Sequence, residues 1–137
     1  MIRKLMCGVL LALPTWAAAQ EIQPGQWQFS AIVTSPMFSK PQTNVVTNCV
    51  TREDAADPGA WTGDKGTSDC TSKMKRRAGD AYDWEMTCPK SNMTATGTVL
   101  IGAGTVETES TVLMNMQGRK MEMHTKMKGR RLGPCKS

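Results

Sequence analysis

The sequence predicts a mainly β protein: an antiparallel meander of about seven strands, curved into a half-barrel or open barrel, with one short helix and two disulfides. Three observations lead to this prediction. Apolar and polar residues alternate along most of the chain, which is the pattern of half-buried strands. Turn residues, mainly glycine and proline, separate the alternating segments. Four of the five cysteines are spread over the alternating region, as in small disulfide-bonded domains.

Residues 1–19 have the pattern of a secretory signal peptide. A basic pair precedes the short apolar run Leu5–Leu13, and small residues stand before the expected cleavage point after Ala19. The run is too short to span a membrane, which argues against the alternative of a retained helical anchor. We therefore predict export to the periplasm or the medium, with residues 20–137 forming a single disulfide-bonded β-domain.

The composition argues against nucleic acid binding and against further membrane spans. The formal net charge is +5, and basic residues are interleaved with acidic ones. Aromatic residues make up 5% of the chain, whereas a nucleic acid surface needs a basic face with aromatic platforms. After the predicted leader, no apolar run has the length of a transmembrane helix. The partner classes that remain are a small apolar ligand and another periplasmic protein.

The first half of the domain is predicted to form two strands and a helix. Alternating apolar residues over Trp27–Val33 indicate the first strand, and the Val- and Thr-rich run Gln42–Cys49 indicates the second. Thr51 followed by Asp54 resembles a capping box. A short helix over Arg52–Asp57 is therefore expected.

The next two strands can be aligned from sequence if their turn is centred on Gly79. In this alignment Cys70 lies opposite Cys88 and Met74 lies opposite Trp84. On the other face, basic residues meet acidic ones: Lys73 with Glu85, and Lys75 with Asp83. A shift of one residue would lose all four pairs.

Two disulfides are predicted from this alignment. Cys70 is expected to bond to Cys88, which leaves Cys49 to bond to Cys135. The entropy lost by the unfolded chain is worth about 3 kcal/mol for the short loop and about 4.5 kcal/mol for the long one. A zinc site is disfavoured because no two of these cysteines have the close spacing of ligand pairs.

The last part of the chain is predicted to form a strand over Asn92–Ile101 and then a long hairpin over Thr105–Cys135. Gly97 indicates a bulge or a close approach in the strand. The hairpin should turn at Gln117 and Gly118 and supply the central strands of the sheet. This register pairs Met114 with Met121, Val112 with Met123 and Thr108 with Met127 on one face, and Glu109 with Lys126 and Glu107 with Lys128 on the other.

The inner, concave face is the predicted site for a small apolar ligand or a protein partner. The side chains expected to line it are Trp27, Phe29, Trp84, Met86, Met114, Met121 and Met123.

Copper binding is the alternative function that the methionines suggest. Thioether sulfur suits Cu(I), and Met114, Met116, Met121, Met123 and Met127 share one face of the hairpin. The competing interpretation is that these methionines are flexible core residues. We favour the core interpretation and predict neither a metal site nor a cofactor.

No catalytic constellation is visible, and we predict that the protein is not an enzyme. The single histidine, His124, falls on the charged face of the hairpin, away from the methionines. The cysteines are assigned to disulfides, so no thiol nucleophile remains.

Arg130 and Arg131 lack an obvious partner in the sequence. They are candidates for contact with a carboxylate or phosphate. A structural pairing with an acid or a carbonyl is the favoured alternative.

The chain after the leader resembles a family of small exported bacterial proteins, the domain of unknown function numbered 3617. The segments that support the resemblance are Pro24–Trp27, Cys49–Thr51, Cys70, Trp84 with Cys88, the Met-rich strands and Gly129–Cys135. The resemblance implies a signal peptide, four cysteines and a mostly antiparallel β-domain. It implies no activity, substrate or cofactor.

Overall fold

The computed structural model describes residues 21–56 and 69–136, which form a mainly β fold with one short helix. The predicted fold class is therefore confirmed. The elements are β1 Gly25–Thr34, β2 Gln42–Val50, α1 Arg52–Ala56, β3 Thr71–Arg76, β4 Ala81–Cys88, β5 Met93–Gly102, β6 Thr105–Met116 and β7 Arg119–Gly133. The predicted signal peptide and the end of the predicted helix, Asp57, lie outside the described residues.

The strands form one open antiparallel sheet in the order β2-β1-β7-β6-β5-β4-β3. Strands β3 to β7 follow one another as a meander, and β7 then pairs with β1, which joins the β1–β2 hairpin to the meander. The β6–β7 hairpin therefore lies at the centre of the sheet, as predicted. Within the described residues, β2 and β3 are the two edges.

The predicted registers of both hairpins are observed. Met74 pairs with Trp84 in β3–β4, and Met114 pairs with Met121 in β6–β7. The turn between β6 and β7 has positive φ at Gln117 (52°) and Gly118 (77°), which is the conformation of a type I′ turn. Local turn geometry and pairing on both faces thus agree on one alignment.

The ion pairs on the outer face agree only partly with the prediction. In β6–β7, Lys126 Nζ lies 3.3 Å from Glu109 and Lys128 Nζ lies 3.5 Å from Glu107. In β3–β4 the acids face the predicted lysines, but Asp83 contacts Arg77 Nε at 3.6 Å. Among the described residues, neither lysine of β3 forms its expected ion pair. Arg77, one residue beyond the end of β3, reaches Asp83 diagonally. The register was therefore correct, but it did not determine which basic side chain pairs with Asp83.

The cap of α1 has the predicted form. The Thr51 hydroxyl accepts a hydrogen bond from the Asp54 N–H at 3.1 Å, and the Asp54 carboxylate accepts one from the Thr51 N–H at 3.4 Å. Ala55 packs against the core of the sheet. None of the helices in the described ranges has the length and apolar character needed to cross a membrane.

The hydrophobic core lies on one side of the sheet, which we call the inner face. Its buried members are Ile22, Trp27, Phe29, Val50, Trp84, Met86, Cys88, Ala95, Val99 and Val106. Gly97 pairs with Trp84 without a shift in register, so the strand is not bulged there. The other predicted alternative, a close approach at Gly97, is observed, because the Trp84 indole and the Glu109 carbonyl lie next to its Cα.

Both predicted disulfides are present. Cys49–Cys135 ties the end of β2 to the segment that follows β7, and Cys70–Cys88 ties the residue before β3 to the end of β4. Cys88 is fully buried, whereas Cys49 and Cys135 are exposed. Two disulfides are compatible with an oxidising, exported location.

Candidate binding surfaces on the sheet

The aromatic part of the predicted ligand face lies within the core. Trp27 is 0% exposed, and Phe29, Trp84 and Met86 are also buried. Trp27 stacks on Phe29 with ring centroids 6.0 Å apart, and its indole N–H donates to the Gln23 carbonyl at 2.8 Å. These side chains belong to one core cluster, and Met93 and Val112 are among the partly buried residues that pack against it.

The methionine part of the same face is half-buried. Met114 and Met121 form one cross-strand pair, Val112 and Met123 form the next, and Met93 lies opposite Met114 from β5. We call these five residues the methionine end. They bring together three of the side chains that the sequence predicted to face a ligand.

The methionine end is half-buried because β1 stops short of it. The last residue of β1, Thr34, pairs with His124. Met121 and Met123 therefore lie beyond the part of β7 that β1 flanks, and the β6–β7 hairpin extends further to Met116, which is 56% exposed. The inner face thus changes from packed core to partly open apolar surface along β6 and β7.

His124 lies on the outer face, as predicted, and both of its ring nitrogens have partners. Nδ1 lies 3.0 Å from the Thr111 hydroxyl, and Nε2 lies 2.6 Å from Glu122 Oε1. The imidazole and the carboxylate are each about half exposed. The ring is therefore held in place but is not shielded from water.

The two arginines near the chain end have protein partners. Arg130 donates from Nε and Nη2 to the Gln28 side-chain oxygen, at 3.1 and 2.9 Å. Arg131 donates from Nε to the Pro24 carbonyl at 2.9 Å. Each arginine therefore has a hydrogen-bond partner within the protein. Contact of either arginine with a carboxylate or phosphate stays a prediction.

An open groove of about 460 Å³ crosses the outer face of β4, β5, β6 and β7. The side chains around it are mostly polar or charged and include Asp83, Glu85, Thr96, Thr98, Glu109, Thr111, His124 and Lys126. From the sequence, Asp83, Glu85, Glu109 and Lys126 were predicted only as members of cross-strand ion pairs. The groove depends on how four strands lie together, which no single pairing indicates.

The described residues contain no group of three His, Cys, Asp or Glu side chains that could hold a metal ion. Methionine thioethers are a separate class of ligand, suited to soft metal ions such as Cu(I).

Comparison with known proteins gives one informative result. No curated protein and no solved structure matches this chain. A family model described as "Protein of unknown function (DUF3617)" matches residues 22–135, which include both disulfides and every strand described above. The chain therefore belongs to the DUF3617 family.

Proposed function

We propose that this protein is an exported, non-catalytic binding module, and that its methionine end binds a small apolar ligand or an apolar segment of a protein partner. The observation that supports this proposal is the half-buried apolar surface of Met93, Val112, Met114, Met121 and Met123. This surface adjoins a packed core, so it is already formed before a ligand binds.

Methionine suits such a surface physically. Its side chain is unbranched and polarizable, and it adapts to ligands of different shape. Removing this apolar surface from water would favour binding by about 25 cal/mol per Å² before the costs of association. We therefore expect moderate affinity and broad selectivity among apolar ligands.

A non-catalytic role is supported by the state of the reactive groups. The cysteines beyond the predicted leader are bonded in pairs. Glu122, His124 and Thr111 do form an acid–imidazole–hydroxyl series, but it stands on an exposed strand surface. Transition-state stabilisation needs preorganised donors in a site that excludes water. We infer that this series is structural.

A fluorescence titration with N-phenyl-1-naphthylamine, an uncharged apolar probe, tests the proposal. The disulfide-bonded protein should bind the probe, and Met123→Lys should weaken binding at least tenfold. Leu113→Lys is the matched control because Leu113 is 46% exposed on the outer face of the same hairpin. Equal binding by the wild type and Met123→Lys would contradict the proposal, as would loss of binding in the control.

Cu(I) binding is the second candidate, because Met93, Met114 and Met121 lie in one row across three neighbouring strands. Cross-strand neighbours are about 5 Å apart, so three thioethers can approach one ion. An anaerobic Cu(I) titration against a competing chelator separates the two candidates. Met114→Leu should abolish copper binding but retain the apolar probe, since leucine preserves the apolar volume. A wild-type protein that takes up no Cu(I) would exclude this candidate.

A further inference from the structure

Among the described residues, strand β2 is an edge strand, and its own sequence lacks the features that usually protect an edge. It pairs with β1 on one side and, in the described part of the chain, has no strand on the other. Its nine residues contain no charge and no proline, and its register with β1 is continuous. Natural sheets prevent edge pairing with charges, prolines, bulges or short edge strands. By that standard β2 is open to pairing.

The opposite edge of the sheet differs in its length and its charge. Strand β3 has six residues, and three of them are the basic side chains Lys73, Lys75 and Arg76. A second β3 placed beside this edge would meet like charges. The two edges of one sheet therefore differ in their capacity to pair with a copy of themselves.

We propose that β2 is a dimerisation edge, at which the β2 strands of two copies of this chain pair in an antiparallel, two-fold arrangement. A two-fold axis perpendicular to the sheet keeps the inner faces of both copies on the same side. Each residue of β2 must therefore lie opposite a residue whose side chain is on the same face of its own sheet. Centring the pair on Val45 or on Val46 satisfies this condition. In both registers every facing pair within β2 joins uncharged residues.

A second copy fits this edge for two reasons. Apart from the disulfide-bonded Cys49, the exposed residues of β2 are Val, Thr, Asn and Gln, and Val45 is 55% exposed, so β-branched pairs would form without repulsion. The resulting double sheet would end in a basic β3 edge on each side. Those edges repel one another, so the assembly closes as a dimer and does not grow into a fibre.

Light scattering coupled to size exclusion, across a concentration series, tests the proposal. The wild type should have the mass of a dimer at high concentration. Val45→Lys should weaken dimerisation at least tenfold, and so should Thr43→Lys, which lies on the same face of β2. Leu113→Lys adds the same charge to the same face of the central strand β6 and should remain dimeric. Circular dichroism and thermal unfolding establish that each variant is folded.

Three outcomes would overturn the proposal. A wild type that is monomeric at every concentration would show that β2 does not pair with a second copy, and a strand from another protein would then be the remaining partner for this edge. A dimer unaffected by both β2 variants would place the interface elsewhere. Dissociation of the Leu113→Lys control together with the β2 variants would show that added charge, and not the edge, is responsible.

Discussion

The indole ring of Trp84 lies against the backbone of Gly97, its cross-strand partner on β5. A methyl group at Gly97 would stand 2.7 Å from Trp84 Nε1, closer than real side-chain contacts allow. Phe29 and Gly129 form an equivalent pair between β1 and β7, where a methyl group would stand 2.8 Å from the ring. Aromatic side chains covering strand glycines are a recognised way to pack a curved sheet. These two pairs position the Trp84 and Phe29 rings in the core of the inner face.

Gly97→Ala should destabilise the protein. The added methyl group meets the indole of Trp84 and the Glu109 carbonyl, and overpacking of this kind costs about 1 to 3 kcal/mol. We expect the melting temperature to fall by roughly 5 to 15 °C in calorimetry. Thr98→Ala, at the next residue of β5 but on the outer face, is the control and should cost less than about 1 kcal/mol. Equal melting of wild type and Gly97→Ala would refute the close contact.

The two disulfides should differ in their accessibility to a mild thiol reductant. Cys49 and Cys135 are exposed, whereas Cys88 is fully buried in the core. Thiol exchange requires access to a sulfur atom, so Cys49–Cys135 should be reduced first under native conditions. Alkylation followed by peptide mass spectrometry measures the order. Earlier labelling of Cys88 would contradict the burial described here.

Reduction of Cys49–Cys135 should also lower stability substantially. This bridge spans 86 residues of sequence, and releasing it restores about 4.5 kcal/mol of unfolded-chain entropy. Urea unfolding of Cys49→Ala/Cys135→Ala against the wild type measures the loss. A cost below about 1 kcal/mol would show that the unfolded chain is not constrained in this way.

Thr51→Ala should remove the cap of α1. The hydroxyl accepts from the Asp54 N–H, and loss of such a cap costs about 1 kcal/mol. Arg52→Ala changes the neighbouring exposed residue and leaves the cap intact, so it is the matched control. Urea unfolding should separate the two variants. Identical midpoints would mean that α1 contributes nothing to global stability.

Gln117→Asn should stabilise the β6–β7 turn. Gln117 has φ of +52°, a left-handed conformation that costs most L-residues about 1 kcal/mol and that asparagine tolerates better. The gain should appear as a higher melting temperature. Gly118→Ala, at the adjacent left-handed position, should have the opposite effect. A lower melting temperature for Gln117→Asn would contradict the turn assignment.

The sequence was most informative where two faces of one hairpin agreed. Met74 lies opposite Trp84 in the β3–β4 hairpin, and Glu109 lies opposite Lys126 in the β6–β7 hairpin. Each hairpin fits only one register, because a slip of one residue would move every side chain to the other face of the sheet. The disulfide pairing followed from the first of these alignments. The capping box and the left-handed turn at Gly118 were equally local signals, and both are observed.

Other features depend on relationships that a linear pattern does not contain. The pairing of β7 with β1 joins distant segments without a distinctive side-chain match. The end of β1 at Thr34 determines where the methionines become partly exposed, and the outer groove requires four strands together. The contact of Arg77 with Asp83 depends on side-chain reach and not on register.

The most direct test of the proposed binding site is nuclear magnetic resonance of methionine methyl groups during titration with N-phenyl-1-naphthylamine. The methyl signals of Met93, Met114, Met121 and Met123 should shift together and saturate. Met37, which is 65% exposed in the loop between β1 and β2, should not shift and is the internal control. Unchanged signals from the methionine end, or equal shifts at Met37, would contradict the proposal that this surface binds apolar ligands.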